Sequence, residues 1–203
     1  MKTKLILSLL FSQLFYSQIN IEEDNLTIEY EKINKASENF GAVTNVRTKS
    51  KEIIQYNIKV RVEMLDNKKR LFDPNKFSLI QYKDSIRLRA IDVTFTNLTE
   101  KWHFFRLIKD KPSHKSLLNQ YNPDIKDTFF DYQFDNIKNA IVPINFLISR
   151  GSFRKPTKIT HETYYEPKKL RKRNLNLFFP MHKDIENATL YYGNTKIEDI
   201  TFN

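Results

Sequence analysis

The chain has 203 residues, 40% of them hydrophobic and 13% aromatic, which is enough apolar mass for one core and too little length to need two. A charged fraction of 29% excludes a membrane-embedded chain, and sixteen Phe with ten Tyr exclude disorder by composition. The formal charge is +10, and the absence of cysteine excludes disulfides, thiol chemistry and thiolate metal sites, so the fold rests on core burial alone.

Met1-Lys2-Thr3-Lys4 is a basic start, Leu5 to Phe11 is an apolar run, and Ser17 is a small residue where a peptidase can cut. That order is a signal peptide over residues 1–17. The apolar run of seven residues is far short of the roughly twenty that span a bilayer. The expected mature chain starts at Gln18, forms a single β-sandwich domain over 18–203 and has no membrane span after signal removal. It is exported, periplasmic or secreted, and with no cysteine at the cut it carries no lipid there.

The strongest strand signal is Ile54 to Met64, where Ile54, Tyr56, Ile58, Val60, Val62 and Met64 alternate with Gln55, Asn57, Lys59, Arg61 and Glu63. Successive strand side chains point to opposite faces, so one face is buried and the other is wet. Phe77 to Tyr82 is a further strand, Lys83-Asp84-Ser85 a polar turn, and Ile86-Arg87-Leu88-Arg89-Ala90 resumes the alternation. The apolar phase then moves to Ile91, Val93 and Phe95, which predicts a bulge near Ala90. Trp102 to Ile108, Ile141 to Ser149, Leu175 to Met181 and Ala188 to Tyr192 are strand candidates, and Gly193-Asn194 is a turn before a last strand from Lys196 to Phe202.

Helical pattern is scarce. Pro112-Ser113 with His114 to Gln120 predicts one short helix and Ile125 to Ile137 another. Asp124, just before the second, and Asp127, Asp131 and Asp135 within it have a spacing of three and four that would share one helical face, as a solvated face or as partners for the basic segment described below. Three glycines are few for a β protein, so Asn, Asp and Lys are expected to fill its tight turns. Many short strands separated by turns in one domain indicate a sandwich.

Ile58-Lys59-Val60-Arg61-Val62-Glu63, followed by Asp73-Pro74-Asn75-Lys76-Phe77-Ser78-Leu79-Ile80, resembles exported immunoglobulin-like families of unknown function, in which a strand leads to a Pro-x-x-Phe-x-Leu segment. The closing Leu190 to Ile200, with Tyr191-Tyr192-Gly193-Asn194 inside it, is similar to the end of small secreted proteins of Bacteroidetes, as is Tyr16-Ser17-Gln18. The resemblance spans about half the chain. It implies a mainly β fold, an immunoglobulin-like antiparallel β-sandwich with one or two short helices, outside the cytoplasm. It implies no activity.

Phosphate loops and nucleophile elbows need clustered glycines, whereas Gly41, Gly151 and Gly193 are scattered. A histidine zinc site needs two or three at short spacing, whereas His103, His114, His161 and His182 stand singly. His161-Glu162, near Tyr164-Tyr165, is the one pair suited to metal or acid/base work. No catalytic, cofactor-binding or metal-binding residue is therefore assigned. What stands out is charge: Arg150, Arg154, Lys155, Lys158, Lys168, Lys169, Arg171, Lys172 and Arg173 face only Glu162 and Glu166 over 150–173, a net of +7 in a chain otherwise close to neutral. Interleaved with Phe153, Tyr164 and Tyr165, these cations can neutralise anions and stack on rings.

The leading expectation is a non-catalytic binding or envelope-associated protein that recognises an acidic glycan, lipopolysaccharide or an envelope protein through this segment. Export argues against intracellular nucleic acid. The bland reading of the segment is a solvated loop or edge-strand protection. The competing functions are a hydrolase acting on surface polymers, with an Asp/Glu pair assembled only by folding, and a structural subunit of an envelope complex.

Overall fold

The computed structural model describes residues 18–36, 45–47, 52–96, 106–108, 111, 121–140, 145–147, 157–158 and 163–202. The signal segment 1–17 and the expected helix at 112–120 lie outside the described residues, as do most of the strand candidates over 102–108 and 141–149. Among the described residues the strands are β1 (Gln18–Ile21), β2 (Leu26–Lys35), β3 (Asn45–Arg47), β4 (Ile53–Met64), β5 (Arg70–Phe72), β6 (Phe77–Gln81), β7 (Ile86–Arg89), β8 (Asp92–Phe95) and β9 (Arg106–Ile108). They continue with β10 (Lys138–Ala140), β11 (Asn145–Leu147), β12 (Thr157–Lys158), β13 (Thr163–Tyr165), β14 (Lys168–Leu170), β15 (Lys172–His182), β16 (Asn187–Tyr192) and β17 (Thr195–Thr201).

Two five-stranded sheets dominate, in the orders β1-β2-β4-β15-β8 and β10-β7-β6-β16-β17. The pairings are antiparallel except β10 with β7, which is parallel. The central strand β4 alternates as its sequence dictates: Tyr56, Ile58, Val60, Val62 and Met64 are buried and the residues between them are half-buried. Along the whole of its length it pairs with β15, from Lys172 opposite Glu63 to His182 opposite Ile53. Ile58, Val60 and Leu177 of the first sheet and Leu79, Leu88 and Leu190 of the second belong to one continuous core cluster. The protein is mainly β, and two antiparallel sheets on a shared core are consistent with a β-sandwich. Each fully buried aliphatic side chain in that core contributes about 1.5–3 kcal/mol.

Three local expectations change. The phase shift at Ala90 is no bulge: β7 belongs to the second sheet and β8 to the first, so the chain changes sheets there and the buried face changes with it. Register shifts occur instead at Tyr30/Lys32, between β2 and β4, and at Leu190/Tyr191, between β16 and β17. The expected helix over Ile125 to Ile137 is a single 3-10 turn, Thr128–Asp131, capped by the side chain of Asp127 on the amide of Phe129. One short turn cannot align Asp124, Asp127, Asp131 and Asp135 on one face. The few glycines are offset by Asn25, Asn67 and Asn136 at positive φ, with Ser85 and Gly193 in the same conformation.

Candidate functional site

The basic segment is assembled with a second one. β14 runs antiparallel to β5, with Lys168 opposite Phe72, Lys169 opposite Leu71 and Leu170 opposite Arg70. The amide of Met64 donates to the carbonyl of Arg171 at 2.7 Å, which ties the end of β4 to the joint between β14 and β15. The turn at 65–69, with Asn67 at φ 57, is thereby set beside residues 168–173. Lys68, Lys69, Arg70, Lys169, Arg171 and Arg173 are all exposed there, with Leu65 and Leu71, 47% and 64% exposed, among them.

The cations of this end differ in what they already hold. Lys168 is half-buried with its ammonium 6.0 Å from the ring centre of Phe95, and burial pulls its pKa below the ordinary lysine value against the pull of Glu166. Lys172 bonds Glu63 at 2.7 Å, and Arg70 bonds Asp66 at 2.6 Å. The Arg70 bond holds the Asp66 carboxyl below the usual carboxylate range, helped by the amide of Lys68. Arg173 donates to the carbonyl of Lys172 at 2.9 Å. Of the other cations expected at this site, Lys158 sits in β12 opposite Asn145, while Arg150, Arg154 and Lys155 lie outside the described residues.

The aromatic part of the expectation is corrected. Tyr164 and Tyr165 are 0% exposed and stack on nothing outside the protein. The Tyr164 hydroxyl donates to the carbonyl of Asn122, and that of Tyr165 to Ala90 at 2.9 Å. Buried Asn75 clamps Tyr165 from both sides, its amide donating to the Tyr165 carbonyl and its oxygen accepting from the Tyr165 amide, each at 2.7 Å. Phe153 lies outside the described residues. Lys68, Lys69 and Arg70 escaped the reading of the sequence, although a three-cation run after a turn was there to find.

A concavity lies over the far face of the second sheet. The segment around the 3-10 turn covers β7: Arg89 bonds Asp127 at 2.7 Å, and the Phe129 ring centre lies 4.0 Å from the guanidinium of Arg87 and 4.4 Å from that of Arg89. Asp131 pairs with Lys126 at 2.8 Å. Asp127, which is buried, and Asp131 thus serve their own neighbourhood. Behind it is a cavity of about 250 Å³ against Arg87, Tyr132 and Phe134.

Among the described residues, no three His, Asp or Glu side chains gather as a metal cluster, and no helix is long and apolar enough to cross a membrane. His182 is exposed with Nδ1 3.3 Å from Asp184, while His103, His114 and His161 lie outside the described residues. Comparison with protein-family models, with curated proteins and with solved structures finds no match for this chain.

Proposed function

We propose that the protein is an exported, non-catalytic binding module of immunoglobulin-like sandwich type, and that it holds acidic polymers at the basic end of its fold. The observation that carries this reading is the β5–β14 ladder, which brings Lys68, Lys69 and Arg70 to the same end as Lys169, Arg171 and Arg173. A polyanion laid across such a surface releases a counterion for each anionic group that meets a cation, and this release drives binding. Export rests on the basic, apolar and small-residue order of Met1 to Ser17. The immunoglobulin-like reading draws its support from two antiparallel sheets on one core, between which the chain passes several times. Exposed Leu65 and Leu71 beside the cations favour an anion with apolar parts, as in lipopolysaccharide, over a bare acidic glycan.

Replacing Lys68, Lys69, Lys169, Arg171 and Arg173 with Ser tests this reading. Lys168 and Lys172 are left alone because they already serve Phe95 and Glu63. The expected result is loss of retention on heparin and on immobilised lipopolysaccharide at about 0.15 M salt. The melting temperature should hardly move, since exposed charges contribute little to stability. Retention equal to that of the parent overturns the reading.

A further inference from the structure

Arg87 is on β7, between β10 and β6 in the second sheet, and is 1% exposed. A buried guanidinium is costly unless its donors and its charge are met. Its Nη1 donates to the carbonyls of Phe129 at 2.9 Å and Tyr132 at 2.6 Å, and its flat faces meet the rings of Phe129 and Phe134, whose centres are 4.0 and 5.3 Å away. Asp127, the acid whose field reaches it, is bonded to Arg89. Nε and Nη2, both buried, have no hydrogen-bond partner. These two donors lie on one edge of the guanidinium and point the same way, at the spacing of the two oxygens of a carboxylate.

The cavity against Arg87 is walled by Phe130, Tyr132, Phe134 and Ile137, with the side-chain amides of Gln133 and Asn139 as further polar groups. Rings and an aliphatic chain suit the C–H faces of a ring-shaped ligand, and two amides suit hydroxyls. The charge is that of one cation, since Arg89 is neutralised by Asp127, so it matches a monoanion better than a phosphate dianion. Burial and the neighbouring Arg89 push the Arg87 guanidinium down to about 10, which still leaves it fully charged at neutral pH.

We propose that this cavity binds an acidic sugar residue of the uronic acid class, with its carboxylate against Arg87, whose Nε–Nη2 edge, closed in the unliganded fold, opens to it on binding, and with its hydroxyls on Gln133 and Asn139. The site shares no residue with the basic end at 68–70 and 168–173, so the two readings fail separately.

Titration of the protein with glucuronate, followed by NMR or by thermal shift, tests the assignment. A free monosaccharide should bind with a dissociation constant of about 1 mM. The methyl ester of glucuronate and neutral glucose should bind at least tenfold more weakly. Gln133→Ala and Asn139→Ala, both on exposed residues, should each weaken glucuronate binding several-fold at an unchanged melting temperature. Arg87→Lys, which keeps the charge and removes the paired edge, should abolish binding; should it fail to fold, the two amide variants decide alone. Any one of four results overturns the proposal: no saturation by about 20 mM glucuronate, benzoate binding as tightly as glucuronate, inorganic phosphate binding as tightly, or amide variants that bind like the parent.

Discussion

β4 and β7 are written in the same grammar and end in opposite surroundings. Ile58-Lys59-Val60-Arg61-Val62 and Ile86-Arg87-Leu88-Arg89 both alternate an apolar residue with a cation. On β4 the Arg61 side chain is 39% exposed and reaches Glu29 only at 3.8 Å, whereas on β7 Arg87 is 1% exposed and holds two backbone carbonyls. The cause lies in neither strand. Phe129, Phe130, Tyr132 and Phe134 come down over the far face of the second sheet and replace water there. Alternation decides which side chains share a face; a separate piece of chain decides whether that face is wet.

The comparison breaks first if the shared rule fails, and the largest expected effect tests it. Val60→Asp buries a carboxylate among apolar side chains with no partner and should prevent folding, at a cost of about 4 kcal/mol or more. Lys59→Asp, on the wet face opposite Lys32, should cost less than about 1 kcal/mol. Urea unfolding curves measure both, and equal effects would mean that the facing of β4 is misassigned. Next in size is the covered side. Asp127→Asn removes the charge from a carboxylate that bonds Arg89 at 2.7 Å with its side chain 0% exposed. It leaves Arg89 and Arg87 as two cations over the Phe129 ring, and should cost about 3 kcal/mol. Amide hydrogen exchange over residues 127–134 should accelerate in this variant more than exchange in β4.

The uneven legibility of the two strands extends to the whole fold. β4 could be read because it carries its own period, from which the core positions Ile58, Val60 and Val62 follow directly, whereas β15 and β16 were marked only by their richness in Phe, Leu and Tyr. The switch of sheets after β7 was visible only as a phase shift at Ala90, and a shift of phase is the same whether a strand bulges or the chain crosses to another sheet. Spacing of three and four among the aspartates at 124–135 suggested a helix, yet Asp127 is taken up by a cap and by Arg89, which leaves one 3-10 turn. At the basic end half of the surface was legible as a charge run. The other half, Lys68 to Arg70, arrives through the pairing of β5 with β14, which no local periodicity announces. The Arg87 cavity was illegible for the same reason.

A smaller effect probes how rigidly the covering segment is seated. Gly193 has φ +58, and a Cβ there would lie 3.0 Å from the Tyr132 ring, one wall of the cavity. Gly193→Ala therefore combines an unfavourable backbone conformation with a push on Tyr132, and should cost about 1–2 kcal/mol. Its thermal midpoint should fall, and near-ultraviolet circular dichroism should report the displaced tyrosine. A midpoint equal to the parent's would mean that the segment moves aside freely and that the wall is soft.

The smallest effect on stability comes from the wet counterpart of Asp127. Asp66 bonds Arg70 at 2.6 Å, much as Asp127 bonds Arg89, but at the exposed basic end. Its folded pKa is lowered, chiefly by the Arg70 bond. The contribution of such a group is present above the unfolded carboxylate value and is lost as the pH falls through the folded one. Asp66→Asn should therefore differ from the parent slightly at neutral pH and not at all in strong acid, as unfolding curves at several pH values can measure. On binding its effect is expected to be the larger one, because the variant removes an acid from the basic end and releases Arg70 to meet an anion. Elution from heparin should move to higher salt. Elution at the parent's salt concentration, with Arg70 released, would show that polyanions do not touch this end of the fold and would confine anion recognition to the covered face behind Arg87.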